Sequence, residues 1–121
     1  MTFPKFPQYS CAGDRITWSA EGYDLTATIH HDHDSKPGDS ECYSPDDVQR
    51  WENDDWFYVG VGLSVSRNGV ELSDHAASLW GIECNFAQNN DYLSEVAQEL
   101  QGEALTTAAH ELARIRDALA A

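Results

Sequence analysis

Apolar and polar residues alternate along residues 14–30 of the chain. The apolar residues occupy every second position on both sides of Glu21-Gly22. This period of two is typical of β-strands that bury one face. The segment therefore predicts a β-hairpin with its turn at Glu21-Gly22.

The same alternation is strongest in residues 56–66, where the valines and Leu63 share one face with Phe57. Asn68-Gly69 follows, and this dipeptide favours a two-residue turn with positive φ at both positions. We therefore expect a second hairpin, whose returning strand runs from residue 70 towards residue 83. The alternation is interrupted at residues 73–75, which predicts a bulge or a break there.

Helical periodicity replaces the alternation near the C-terminus. Asn89-Asn90-Asp91 is expected to cap a helix that ends at about Ala120. A shorter helix is predicted from Ser44, as N-cap, and Pro45 to about Trp51. The apolar stripe of the long helix repeats at intervals of three and four residues: Leu93, Val96, Ala97, Leu100, Ala104, Ala108, Leu112, Ile115 and Leu119.

These elements predict a single α+β domain over residues 1–121. Two β-hairpins form an antiparallel four-stranded sheet, the short helix lies in the acidic connection between them, and the long C-terminal helix packs on one face. This is the simplest architecture that buries every apolar stripe. A chain of 121 residues is long enough to form one such core.

The charge balance restricts the function classes. Twenty-one Asp and Glu face seven Lys and Arg, which gives a formal net charge of −14. That balance argues against direct binding to nucleic acid or to an anionic membrane, because both need basic side chains, and it favours a basic partner. No apolar run is long enough for a signal peptide or a membrane span, so we expect a cytoplasmic protein.

The acidic residues are concentrated in two places. Residues 32–55 contain nine acids and two basic residues, Lys36 and Arg50. On the long helix an acidic residue recurs every four positions from Asp91, without an interleaved lysine, a spacing that can imitate a row of phosphates. The expected partner-binding carboxylates are Asp32, Asp34, Asp39, Glu41, Asp46, Asp47, Glu52, Asp54, Asp55, Glu95, Glu99 and Glu103.

Residues 30–34, which read His-His-Asp-His-Asp, are the main alternative. Imidazoles and carboxylates bind zinc and other divalent metals, but this spacing matches no catalytic metal motif, and a solvated acidic loop is the simpler interpretation. Cys11, Cys42 and Cys84 form no C-x-x-C pair and are expected to be reduced thiols. Serine-nucleophile and phosphate-loop motifs are absent. We therefore expect no cofactor, no metal and no enzymatic activity.

The sequence YVGVGLSVSRNGV at residues 58–70, continued by ASLWGIE at residues 77–83, resembles stretches in small proteins of bacteriophages and prophages. Such proteins include anti-restriction and anti-CRISPR inhibitors, several of which are acidic DNA mimics. The resemblance covers strands and a turn and carries no catalytic motif. It implies a host defence complex as the target and transfers no functional residue.

The sequence thus predicts an acidic interaction or inhibitor protein that presents carboxylates to a basic, nucleic-acid-binding partner. If the protein is encoded by a phage, it would act in the host cytoplasm. A small metal-binding protein or enzyme built on residues 30–34 and a phage structural or assembly protein are the alternatives. The oligomeric state is left open, a dimer included.

Overall fold

The computed structural model of the protein describes residues 3–39 and 43–120. Single 3-10 turns lie at Pro37–Asp39 and Phe86–Gln88. The strands and helices, in chain order, are β1 (Arg15–Ala20), β2 (Tyr23–His31), α1 (Pro45–Glu52), β3 (Phe57–Arg67), β4 (Val70–Cys84) and α2 (Asp91–Ala120).

The four strands form one antiparallel sheet in the order β1-β2-β3-β4. Both hairpin turns have positive φ at their two central residues: 53° and 84° at Glu21 and Gly22, and 51° and 80° at Asn68 and Gly69. Left-handed geometry at both positions matches the twist of the flanking strands. The predicted fold, two hairpins with a short helix between them and a long C-terminal helix on the sheet, is confirmed.

The core lies between the inner face of the sheet and α2. Leu25, Val61 and Leu63 are completely buried on the sheet side, and Leu93 and Val96 are completely buried on the helix side. Each such side chain contributes about 1.5–3 kcal/mol when it leaves water. One member of the predicted helical stripe was wrong: Leu119 is 81% exposed, because the last turns of α2 extend beyond the core.

The pairing of β4 with β3 is irregular in two regions. Val65 pairs with Ser73 and Leu63 pairs with Ala77, so extra β4 residues lie in the region where the sequence predicted a bulge. A second irregularity was not predicted. Val61 pairs with Leu79 but Val59 pairs with Ile82, and the intervening Gly81 has a φ of 75°.

A buried polar network joins the N-terminal segment to the start of α2. Ser10 donates its backbone N–H to the Asn85 side chain at 2.8 Å, and Asn90 donates its side-chain amide to Asn85 at 2.9 Å and to the carbonyl of Pro7 at 2.9 Å. The predicted capping cluster therefore precedes the helix as expected, but the Asn90 side chain turns into the core. It holds residues 7–10 against the helix entrance.

The outer face of the sheet carries Trp80, which lies flat over Gly60. A Cβ atom at position 60 would lie within 3.0 Å of three atoms of the indole ring. His30 covers Gly62 in a similar way, with its Nε2 atom 3.2 Å from the position of a Cβ there. The absence of side chains at the two glycines thus lets the Trp80 and His30 rings pack directly on the backbone of β3. Neither of the two α-helices in the described part of the chain has the length and apolar composition of a membrane-spanning helix.

We expect Gly60→Ala to lower the free energy of unfolding by about 1–3 kcal/mol, because the new methyl group must displace the Trp80 ring. Gly102→Ala is the matched control, since Gly102 lies in α2 with open space around it. This second change should raise stability by up to about 1 kcal/mol. Urea denaturation measures both, and equal stability of the two variants would contradict the contact.

Candidate protein-binding surface

The structure gives the predicted carboxylates different roles. Glu41 lies outside the described residues, and the side chain of Asp39 is not among the described groups. Asp46 forms an exposed ion pair with Arg50 at 3.1 Å. Asp47 accepts a hydrogen bond from the backbone N–H of Ser44, and Ser44 caps α1 in return. Besides Asp46, the predicted carboxylates that are exposed in the described structure are Asp34, Glu52, Asp54, Asp55, Glu95, Glu99 and Glu103.

Among the predicted surface acids whose side chains the structure describes, Asp32 alone is buried, with 8% of its surface exposed. Its carboxylate accepts hydrogen bonds from the backbone N–H of Asp34 at 2.9 Å, from the Ser35 hydroxyl at 2.8 Å and from the backbone N–H of Gly81 at 3.0 Å. Burial raises the pKa of Asp32, but these hydrogen bonds together outweigh it and hold the pKa below its usual value. Asp32 therefore ties the loop after β2 to the irregularity in β4.

Aromatic contacts fix α1 at the end of the sheet where β3 begins. Trp56 donates its indole N–H to the backbone carbonyl of Asp47 at 2.9 Å. The ring of Trp56 also packs against Tyr43, Tyr58 and Phe86, with centroids 5.0–5.3 Å apart. Because Phe86 lies between β4 and α2, this cluster holds α1 on the side of the sheet where α2 begins.

Two tyrosine hydroxyls and a carboxylate lie beside this aromatic cluster. The hydroxyls of Tyr58 and Tyr43 are 3.0 Å apart, and Tyr58 is the cross-strand partner of Glu83. Burial, together with hydrogen bonding to Glu83 and Tyr58, raises the pKa of Tyr43 far above its usual value. Tyr43 therefore stays neutral and acts as a hydrogen-bond donor beside the Glu83 carboxylate.

Two adjoining depressions lie between α1 and the start of α2, and Phe86 and Ala87 line both of them. Their basic lining residue is Arg50, which is paired with Asp46. Residues from each of the two acidic segments of the sequence thus lie around Phe86 and Ala87. We call the carboxylates that line these depressions the acidic surface: Asp47, Asp55, Glu83, Asp91 and Glu95.

The acidic row on α2 extends this surface. Glu95, Glu99 and Glu103 are all exposed, and successive members lie about 6 Å apart along the helix axis. Asp91, at the start of the row, accepts a hydrogen bond from the Gln8 side chain at 3.0 Å. Within residues 3–39 and 43–120 the ion pairs are Arg50–Asp46 and Arg114–Glu111, so no carboxylate of the row is paired.

The histidines of residues 30–34 do not converge on a common point. The rings of His31 and His33 are 4.1 Å apart, and His31 stacks on Phe57 at 5.5 Å, whereas His30 lies beside Trp80. Among the described side chains, no three His, Cys, Asp or Glu residues are arranged to hold a metal ion.

The two described cysteines are free thiols. Cys11 is exposed and Cys84 is buried, and Cys42 lies outside the described residues. Burial raises the pKa of Cys84 to about 12, so its thiol stays protonated at neutral pH and is a poor nucleophile.

The sequence interpretation missed Glu83 and Trp80. Glu83 lies in the strand whose regular alternation is lost, so its face could not be assigned. Trp80 is one of four tryptophans in the sequence, and its own neighbours in the chain do not distinguish it from the others. The glycines at alternate positions 60 and 62 were the available signal, since they indicate space for a neighbouring ring.

We expect Asp32→Ala to lower the free energy of unfolding by about 1–3 kcal/mol at neutral pH, because the change leaves the partly buried Gly81 N–H without its acceptor. Asp34→Ala removes an exposed carboxylate next to it and should cost less than about 0.5 kcal/mol.

The pH dependence of the Asp32 effect provides a second test. The pKa of Asp32 in the folded protein lies below the unfolded value of about 3.9. The Asp32 carboxylate therefore makes its full contribution to the free energy of unfolding above the unfolded pKa, and this contribution is lost as the pH falls through the folded-state pKa. The difference between wild type and Asp32→Ala should stay constant from about pH 7 to 5 and shrink below about pH 4. Urea denaturation across this range measures it; a difference that grows in acid would be inconsistent with a stabilised carboxylate.

Comparison of the chain with protein-family models, with curated proteins and with solved structures finds no match. The function is therefore inferred from the residues of the site.

Proposed function

We propose that this protein is an acidic interaction protein that binds the basic, nucleic-acid-binding surface of a partner protein and blocks it. The observation that carries the proposal is the continuity of the acidic surface. Asp47 and Asp55, from the first acidic segment, and Asp91 and Glu95, from the second, surround the same two residues, Phe86 and Ala87. In this proposal their carboxylates take the place of phosphates.

Electrostatic cost supports a functional interpretation of this arrangement. Like charges held together on one surface repel each other, and the repulsion destabilises the compact state. Arg50 is the basic residue that lines the depressions, and its partner is Asp46, outside the acidic surface. A basic partner would relieve the repulsion, and the same field would accelerate its association.

The nature of the partner follows from the charge and from the resemblance described above. A surface that competes with DNA or RNA must present negative charge at regular spacing, as the α2 row does. In this proposal the partner is a nucleic-acid-binding complex of a bacterial host, which is what the resemblance noted for residues 58–70 and 77–83 implies. Host defence systems of the restriction or CRISPR type belong to this class.

The proposal predicts that the protein displaces DNA from basic host proteins. The test uses a fluorescent DNA duplex bound to the heparin-retained proteins of a bacterial host, with the wild-type protein as competitor. Charge reversal at Asp55, Glu95 and Glu99 to lysine should raise the concentration needed for half displacement at least about tenfold. Displacement should also weaken as salt is added, because exposed charges are screened.

The matched control carries the same change in net charge at Glu71, Asp74 and Asp117, three exposed acids outside the acidic surface and the α2 row. It should compete within about threefold of wild type. Equal loss in the two triple variants would show that bulk charge alone acts. Absence of displacement by the wild-type protein would remove the proposal.

A further inference from the structure

Trp80 borders an open depression of about 490 Å³ on the outer side of the sheet. The other walls are formed by His31, at the end of β2, and by residues 32–35 of the loop that follows. Two of the lining residues, Asp32 and Asp34, are acidic and none is lysine or arginine. The depression therefore combines a large aromatic ring with net negative charge.

The ring of Trp80 is held in place although it is 48% exposed. Gly60 lies directly under one face of the ring, so the indole rests on backbone. His30 lies beside it, with ring centroids 6.0 Å apart and planes inclined by 29°. The next residue, Gly81, donates its backbone N–H to the buried Asp32 carboxylate. These contacts fix the ring before any partner binds, which reduces the entropy lost on binding.

A tryptophan needed only for the core would be buried, as Trp56 is with 2% exposure. Trp80 instead covers Gly60 of β3 and leaves part of its own surface open to solvent. Fixed, half-exposed tryptophans are frequent anchors of protein interfaces. The negative charge of the neighbouring carboxylates favours a cationic side chain as the one that contacts the ring.

We propose that Trp80 is the platform on which an arginine side chain of the basic partner stacks. This inference rests on the function proposed above and names a specific contact within it. Tryptophan is the aromatic residue that attracts cations most strongly, and the planar guanidinium of arginine stacks on such rings better than an ammonium group does. The exposed Asp34 carboxylate lines the same depression and can accept hydrogen bonds from the guanidinium.

The test measures the affinity of octa-arginine and octa-lysine peptides by calorimetry at physiological ionic strength. The two peptides have equal charge, so a difference between them reports stacking and hydrogen bonding. Wild type should bind octa-arginine more tightly. Trp80→Leu should weaken octa-arginine binding about threefold to tenfold and octa-lysine binding less. Trp80→Phe should lie between wild type and Trp80→Leu, and thermal melting verifies the fold of each variant.

Leu79→Ala is the control, because Leu79 is an exposed apolar neighbour in the same strand, 41% exposed. It should leave both affinities unchanged. One outcome separates the two proposals. If the triple variant at Asp55, Glu95 and Glu99 weakens the binding of both peptides, but Trp80→Leu binds octa-arginine as tightly as wild type does, the stacking role of Trp80 is disproved and the acidic surface is supported. Equal affinity of wild type for the two peptides would also disprove the platform. If neither peptide binds wild type, both proposals fall.

Discussion

Apolar side chains of α2, among them Leu93 and Val96, bury the inner face of the sheet against residues such as Val61 and Leu63. This packing is one-sided, since the described structure has one long helix and it covers one face. The outer face of the sheet must therefore consist of small residues or be covered by side chains of the sheet itself. Gly60 and Gly62 provide the space in which Trp80 and His30 lie flat. The exposed aromatic platform is thus a consequence of how the core is built.

The acidic surface depends on contacts between residues that are distant in the chain. The aromatic cluster around Trp56 draws α1 towards Phe86, and the Asn85–Asn90 network holds the entrance of α2. These apolar and hydrogen-bonded contacts favour an arrangement that the repulsion between carboxylates opposes. Because burial of a large aromatic side chain contributes more than a pair of exposed charges costs, the arrangement is stable.

Asp32 shows that an aspartate in an acidic segment can be a buried hydrogen-bond acceptor instead of an exposed charge. Asp34, two residues along the chain, is an exposed acid, and the sequence alone assigns Asp32 to the same class. In the fold, its carboxylate accepts three hydrogen bonds from within the protein, and one of them comes from Gly81 across the sheet. That contact stabilises the β4 irregularity next to Trp80. The negative charge of Asp32 therefore organises the depression in which a partner side chain is proposed to bind, while the exposed Asp34 is available to contact it.

Local patterns in the sequence were sufficient to predict the strands, the helices and the α+β fold class. Alternation predicted the strands, Asn68-Gly69 the second hairpin turn, and Ser44-Pro45 the start of α1, because periodicity, turn geometry and helix capping depend on residues close in the chain. Tertiary structure alone decided that Asp32 is buried, that Glu83 joins the acidic surface, that Gly81 interrupts β4 and that Leu119 stays exposed. These features depend on strand register and on packing between distant segments, and a local pattern carries no information about either.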